Sequence, residues 1–83
     1  MNNTIILYTT ENCGNCKIVK MILEQYDLPF IEKRVDADEY TEKEFEEITN
    51  GQKYVPTIAV NKNVYVNIKP HELLELVKIL KSE

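Results

Sequence analysis

The tetrapeptide Cys13-Gly14-Asn15-Cys16 stands between two different periodicities, and that junction restricts what the chain can fold into more than any other feature. Before it runs Ile5-Ile6-Leu7-Tyr8, short, β-branched and aromatic, the pattern of a buried strand that ends in the polar segment Thr9-Thr10-Glu11-Asn12. After it, Ile18, Val19, Ile22, Leu23 and Tyr26 recur at the spacing of one buried helical face, and Pro29 forbids extension beyond Leu28. The cysteines therefore fall where a strand becomes a helix.

Downstream, Phe30 to Val35 reads as a second, weaker strand, and the acidic segment Asp36-Ala37-Asp38-Glu39 as a solvated loop. Thr41 and Glu44 have the spacing of a capping box, with Tyr40 and Phe45 as its hydrophobic staple. The helix they start turns Phe45 and Ile48 inward and stops at the left-handed signal Asn50-Gly51. Thr57-Ile58-Ala59-Val60, a turn at Asn61-Lys62-Asn63 and Val64-Tyr65-Val66 form a hairpin pattern. Pro70 suits the first position of a last helix whose apolar residues are Leu73, Leu74, Leu76, Val77 and Leu80. The order is βαβαββα. A helical crossover implies a parallel first pair with a right-handed connection, and a short turn makes the last two strands antiparallel. The expected fold is α/β: one domain over residues 1–83, a four-stranded mixed sheet with helices on both faces. Eighty-three residues supply a single core.

The spacing of the cysteines carries the chemistry. Residues three apart at a helix start lie on one face, so the two sulfurs can reach bonding distance. Unpaired N–H groups and the helix dipole stabilise a thiolate on the first. A dipole contribution of roughly 1 kcal/mol, with hydrogen bonds and nearby Lys17, brings a thiol of ordinary pKa ~8.5 towards ~7. Cys13 is then the nucleophile, and Cys16, one turn inside the helix, the resolving thiol of a dithiol–disulfide exchange that needs no cofactor. A bridge across so short a loop removes little unfolded-state entropy, so the pair is chemical rather than structural. Two other readings of the motif compete. Structural zinc wants four ligands, and only His71 adds one of the right kind; an exposed first-turn histidine is otherwise inert, and His71 receives no role. An iron–sulfur cluster would draw ligands from a second chain or an external thiol.

Charge narrows the partners. A net charge of −4 provides no basic stripe for nucleic acid or an anionic membrane. Met1-Asn2-Asn3-Thr4 carries no basic residue and the apolar run after it is too short for a leader or membrane segment, so a cytoplasmic location is expected. A monomer is expected as well.

Ile6-Leu7-Tyr8-Thr9, Cys13-Gly14-Asn15-Cys16 and Val55-Pro56-Thr57, in this order and spacing, resemble the glutaredoxin branch of the thioredoxin superfamily over nearly the whole chain. The resemblance implies a thioredoxin fold, a cis Pro56 facing the dithiol, and pairing of the Val55 backbone with a substrate chain. The substrate-binding set expected around the dithiol is Val55, Pro56, Tyr8, Gly14, Asn15 and Lys17, with Tyr8 equally readable as a core aromatic. Glutathione-using members carry Gly-Gly and an acidic pair after the last strand; here the segment is Val66-Asn67-Ile68-Lys69-Pro70-His71-Glu72. That segment is more similar to the aromatic-Arg-Pro-Asp stretch of NrdH-type redoxins. Pro70 matches and Lys69 preserves charge, whereas Ile68 and His71 depart. Such redoxins carry electrons from thioredoxin reductase to ribonucleotide reductase, which implies those partners here. Glutathione is the alternative reductant. Thioredoxins proper place a buried Asp where this chain has Leu7, so proton transfer at Cys16 must use water or another group.

Overall fold

The computed structural model describes residues 4–82; Met1, Asn2 and Asn3, read above as free of a leader, and Glu83 lie outside the described residues. The elements are β1 (Ile5–Thr9), α1 (Gly14–Gln25), β2 (Ile31–Arg34), α2 (Glu39–Thr49), β3 (Thr57–Val60), β4 (Asn63–Tyr65) and α3 (Pro70–Lys81). The sheet runs β2-β1-β3-β4, with β1 parallel to β2 and antiparallel to β3, and β3 antiparallel to β4.

Strand alternation sorts the core into two layers. Ile5 and Leu7 of β1, with Ile58 and Val60 of β3, pack against Val19 and Leu23 of α1 and Leu73, Leu76 and Val77 of α3. On the other face, Tyr8 and Ala59 meet Phe45 of α2, with Ile6, Val35, Ile48, Val55 and Val64 around them. Helices therefore cover both faces, as the thioredoxin fold requires. None of the helices in the described residues is long and apolar enough to cross a membrane.

The buried stripe of α1 is narrower than its sequence suggests. Cys16, Val19 and Leu23 are buried, whereas Ile18 and Tyr26 are 45% and 40% exposed. Ile18 sits about 100° around the helix from Val19, which carries it off the face that α3 covers. The helix ends with Asp27 in the left-handed region and the Leu28 N–H on the Leu23 carbonyl, a closed stop placed just before Pro29.

The start of α2 differs from the capping box expected at Thr41. Asp38 is the N-cap, its Oδ1 accepting from the Thr41 N–H at 2.8 Å, and Tyr40 is 88% exposed rather than a staple. Asp38 stands three residues before Thr41, so it offers the same N-cap-to-N3 bond one turn earlier. A carboxylate also complements the positive end of the helix better than a hydroxyl. Asn50 at φ 55° and Gly51 at φ 85° form the expected stop, with the Gly51 N–H on the Glu46 carbonyl. In α3, Pro70 occupies the first turn, and Leu74, expected in the core, is 37% exposed because Leu73, Leu76 and Val77 fill the inward stripe.

Candidate active site

The register places the site. Tyr8 stands opposite Thr57 in an antiparallel pair, so the end at which β1 leaves for the cysteines is the end at which Val55-Pro56 enters β3. Cys13 is the N-cap of α1, with extended backbone, and its sulfur accepts from the Cys16 N–H at 3.1 Å. The two sulfurs are bonded, with Cα atoms 5.2 Å apart. Cys13 is half-buried and Cys16 only 3% exposed, which separates an accessible sulfur from a shielded one. Gly14, Asn15 and Lys17 are exposed, and a Cβ built on Gly14 would meet nothing within 4 Å. The surface over the dithiol is thus open on the Gly14 side.

Pro56 is buried and follows a cis Val55–Pro56 bond, the conformation the resemblance implied. Its loop is tied down by bonds from the turn after β4. The Ile68 N–H donates to the Pro56 carbonyl at 2.9 Å and the Asn67 N–H to Thr57 Oγ1 at 3.4 Å, while Thr57 Oγ1 donates to the Tyr54 carbonyl at 2.6 Å. Ile68, a departure from the expected motif, is a core residue at 4% exposure. Glu72 Oε1 accepts from the Lys69 N–H at 2.9 Å and so caps α3. His71 is exposed.

Beside the dithiol lies a cleft of about 180 Å³, whose wall includes Cys13, Cys16, Lys17 and Lys20 from the α1 side and Glu32 and Arg34 from β2. Thr9, buried at the end of β1, donates through Oγ1 to Glu32 Oε2 at 3.0 Å, and Lys20 Nζ bridges Glu32 Oε1 at 2.9 Å. The Lys20 hydrogen bond holds the Glu32 carboxyl below its ordinary range, and the same bond raises Lys20. Arg34 is engaged by Asp36 through Nε at 2.9 Å and by Glu11 at 3.8 Å. Its guanidinium drives Asp36 down to about 2. Among the described residues no group of three or more His, Cys, Asp or Glu is arranged to hold a metal ion.

One expected contact moves away from the site. Tyr8 is 2% exposed, its ring tilted against Phe45 with centroids 5.4 Å apart, and its hydroxyl donates to Glu44 Oε2 at 2.7 Å. Even-numbered residues of β1 face α2, the side away from α1, so Tyr8 is a core aromatic rather than a groove residue. Burial and the Glu44 carboxylate push its hydroxyl well above the ordinary tyrosine range. Sequence reasoning missed Thr9, Lys20 and Glu32. Signals for them existed: Lys20 is four residues after Cys16 on one helix face, and alternation along β2 puts Glu32 and Arg34 together, opposite in sense to Lys33.

The glutaredoxin family profile matches residues 5–66. The glutaredoxin-like proteins NrdH of Lactococcus lactis subsp. cremoris and subsp. lactis are each 30% identical over 73 residues, 87% of this chain and 97% of theirs. Among solved structures, a mutant of a thioredoxin-like protein superposes with a TM-score of 0.80 at 22% identity, covering 92% of this chain and 96% of that one. A glutaredoxin from Archaeoglobus fulgidus gives 0.75 at 20% identity, covering 92% and 87%.

Proposed function

The chain belongs to the glutaredoxin family and is a thiol–disulfide oxidoreductase of the NrdH-like kind, and from that premise we propose that it is a cytoplasmic, monomeric electron donor to protein disulfides, reduced by thioredoxin reductase and serving ribonucleotide reductase or a similar enzyme. Cys13, as thiolate, attacks one sulfur of the substrate disulfide; that bond breaks and the second substrate sulfur leaves, taking up a proton. Cys16 loses its proton and attacks Cys13, which releases the first substrate sulfur and forms the Cys13–Cys16 disulfide. Two electrons pass to the substrate, and the reductase returns two. In this reading Val55, Pro56, Gly14, Asn15 and Lys17 make up the substrate-binding set around Cys13.

One observation carries the choice of reductant. A glutathione site needs free backbone N–H groups and an acceptor for the tripeptide's amino group. Here the Asn67 and Ile68 N–H groups are engaged by Thr57 and Pro56, Pro70 has none, and Glu72 caps its own helix. NADPH with a thioredoxin reductase is therefore expected to give a kcat/KM at least about ten times that of glutathione with glutathione reductase, a gap of ~1.4 kcal/mol. Measuring both couples on one disulfide substrate, with reductases from several sources, tests this. Glutathione proving the better donor would move the chain to the glutathione-dependent glutaredoxins.

A further inference from the structure

Cys16 presents a physical problem. It must become a thiolate to resolve the mixed disulfide, yet it is almost fully shielded, and burial disfavours the charged form of a thiol. The first turn of α1 favours a thiolate at Cys13, the cap, whereas Cys16 lies inside the helix with its own N–H turned to Cys13. Something else has to support charge on the second sulfur.

The charged groups around the cleft are Glu11, Lys17, Lys20, Glu32 and Arg34. Arg34 already holds two carboxylates, Asp36 and Glu11, and Lys17 directly follows Cys16 and is exposed. Lys20, its side chain 44% exposed, holds a single carboxylate, Glu32. It follows Cys16 by four residues, so the two side chains are neighbours on one helix face, with Cβ atoms roughly 5–6 Å apart. It is also tethered: Thr9 orients Glu32, and Glu32 holds the Lys20 ammonium. An ammonium has three donors, so one bond to Glu32 leaves two for an anion in the cleft, while the carboxylate can offer only lone pairs.

We propose that Lys20 is the cation that stabilises the Cys16 thiolate during resolution, and that Thr9 and Glu32 are positioning residues that keep its ammonium on the cleft wall. The proposal rests on the reading of Cys16 as the resolving thiol. It assigns the two members of the ion pair opposite effects on one sulfur: Lys20 eases loss of the Cys16 proton to solvent, and Glu32 opposes it by charge while fixing the geometry.

The test uses the full chain, with thermal melts confirming that each variant folds. In a Cys13→Ser background, the pH midpoint of Cys16 alkylation is expected to rise by about one unit on Lys20→Met, to return on Lys20→Arg, and to fall on Glu32→Gln. A protein that was merely loosened would move both variants in the same direction. With both cysteines present, Lys20→Met should slow decay of the mixed disulfide about tenfold at neutral pH and slow the first attack by Cys13 less, since the Cys16 N–H and the helix amino terminus already favour charge on Cys13. An unchanged Cys16 midpoint in Lys20→Met, or parallel shifts in Lys20→Met and Glu32→Gln, overturns the proposal. A failure of Cys16→Ser to accumulate mixed disulfide would instead strike the assignment of the two cysteines, independently of Lys20.

Discussion

The sulfur of Cys13 accepts the backbone N–H of Cys16 at 3.1 Å, so the nucleophile of the site is also the N-cap of the helix that carries its partner. One bond thus serves both helix initiation and charge at sulfur, because the N–H that a cap must satisfy is also the donor a thiolate prefers.

From this geometry, Cys13→Ser should abolish disulfide reduction, whereas Cys16→Ser should still attack and accumulate a mixed disulfide. Mass spectrometry after mixing each variant with a disulfide substrate distinguishes them. An adduct on the Cys13→Ser protein and none on the Cys16→Ser protein would reverse the roles. The Cys13 thiol should also alkylate with a midpoint below the ordinary ~8.5.

At α2, the cap assignment predicts an asymmetry between neighbours. Asp38→Ala should cost about 1 kcal/mol in urea unfolding, the usual value for a lost N-cap, and Thr41→Ala no more than about 0.5. Equal losses would restore the capping box at Thr41.

Tyr8→Phe removes a buried donor from Glu44 but leaves that carboxylate on Lys33 Nζ, at 2.9 and 3.1 Å. The expected loss is about 1 kcal/mol, with disulfide reductase activity kept. A large fall in kcat/KM at unchanged stability would put Tyr8 back at the substrate.

Stability should decline in acid. Glu32, Asp36, Asp38 and Glu44 all have folded-state values below their ordinary 4.5 or 3.8, held there chiefly by bonds from Lys20, Arg34, the Thr41 N–H and Lys33 respectively. A lowered carboxyl contributes stability that is complete above its unfolded value and disappears as pH falls through its folded value. The urea midpoint should therefore be level near neutrality, begin to drop as pH passes below about 4.5, and continue to drop towards about 2, the folded value of Asp36. A flat profile from pH 6 to 3 would contradict these pairings.

Much of this molecule was legible because its elements announce themselves locally. Ile5 to Tyr8 could only be a buried strand, Pro29 and Asn50-Gly51 bounded two helices, and the dithiol sat at the one junction between periodicities. Ile18, Tyr26 and Leu74 fit a helical repeat but fall outside the arc that a neighbour covers, and the width of that arc is set by packing between α1 and α3. Asp38 is hidden as a cap because an acidic run resembles a loop and its bond to the Thr41 N–H exists only once Thr41 is placed. The charged wall of the cleft was hidden because Lys20 and Glu32 are 12 positions apart and meet only when β2 aligns beside β1.

Among the described residues β2 lies at the margin of the sheet, paired on one side, to β1. A strand in that place presents unsatisfied backbone groups to any passing chain and is the usual seed of uncontrolled strand addition. Glu32, Lys33 and Arg34 occupy three of its four positions, each bound to a counter-charge on a different element: Lys20 on α1, Glu44 on α2 and Asp36 in the following turn. A strand added there would bring its own side chains against this row of ions. Glu32 and Arg34, which line the redox cleft, therefore also guard the molecule's open flank, so neutralising them to adjust the potential would at the same time lower the barrier to aggregation.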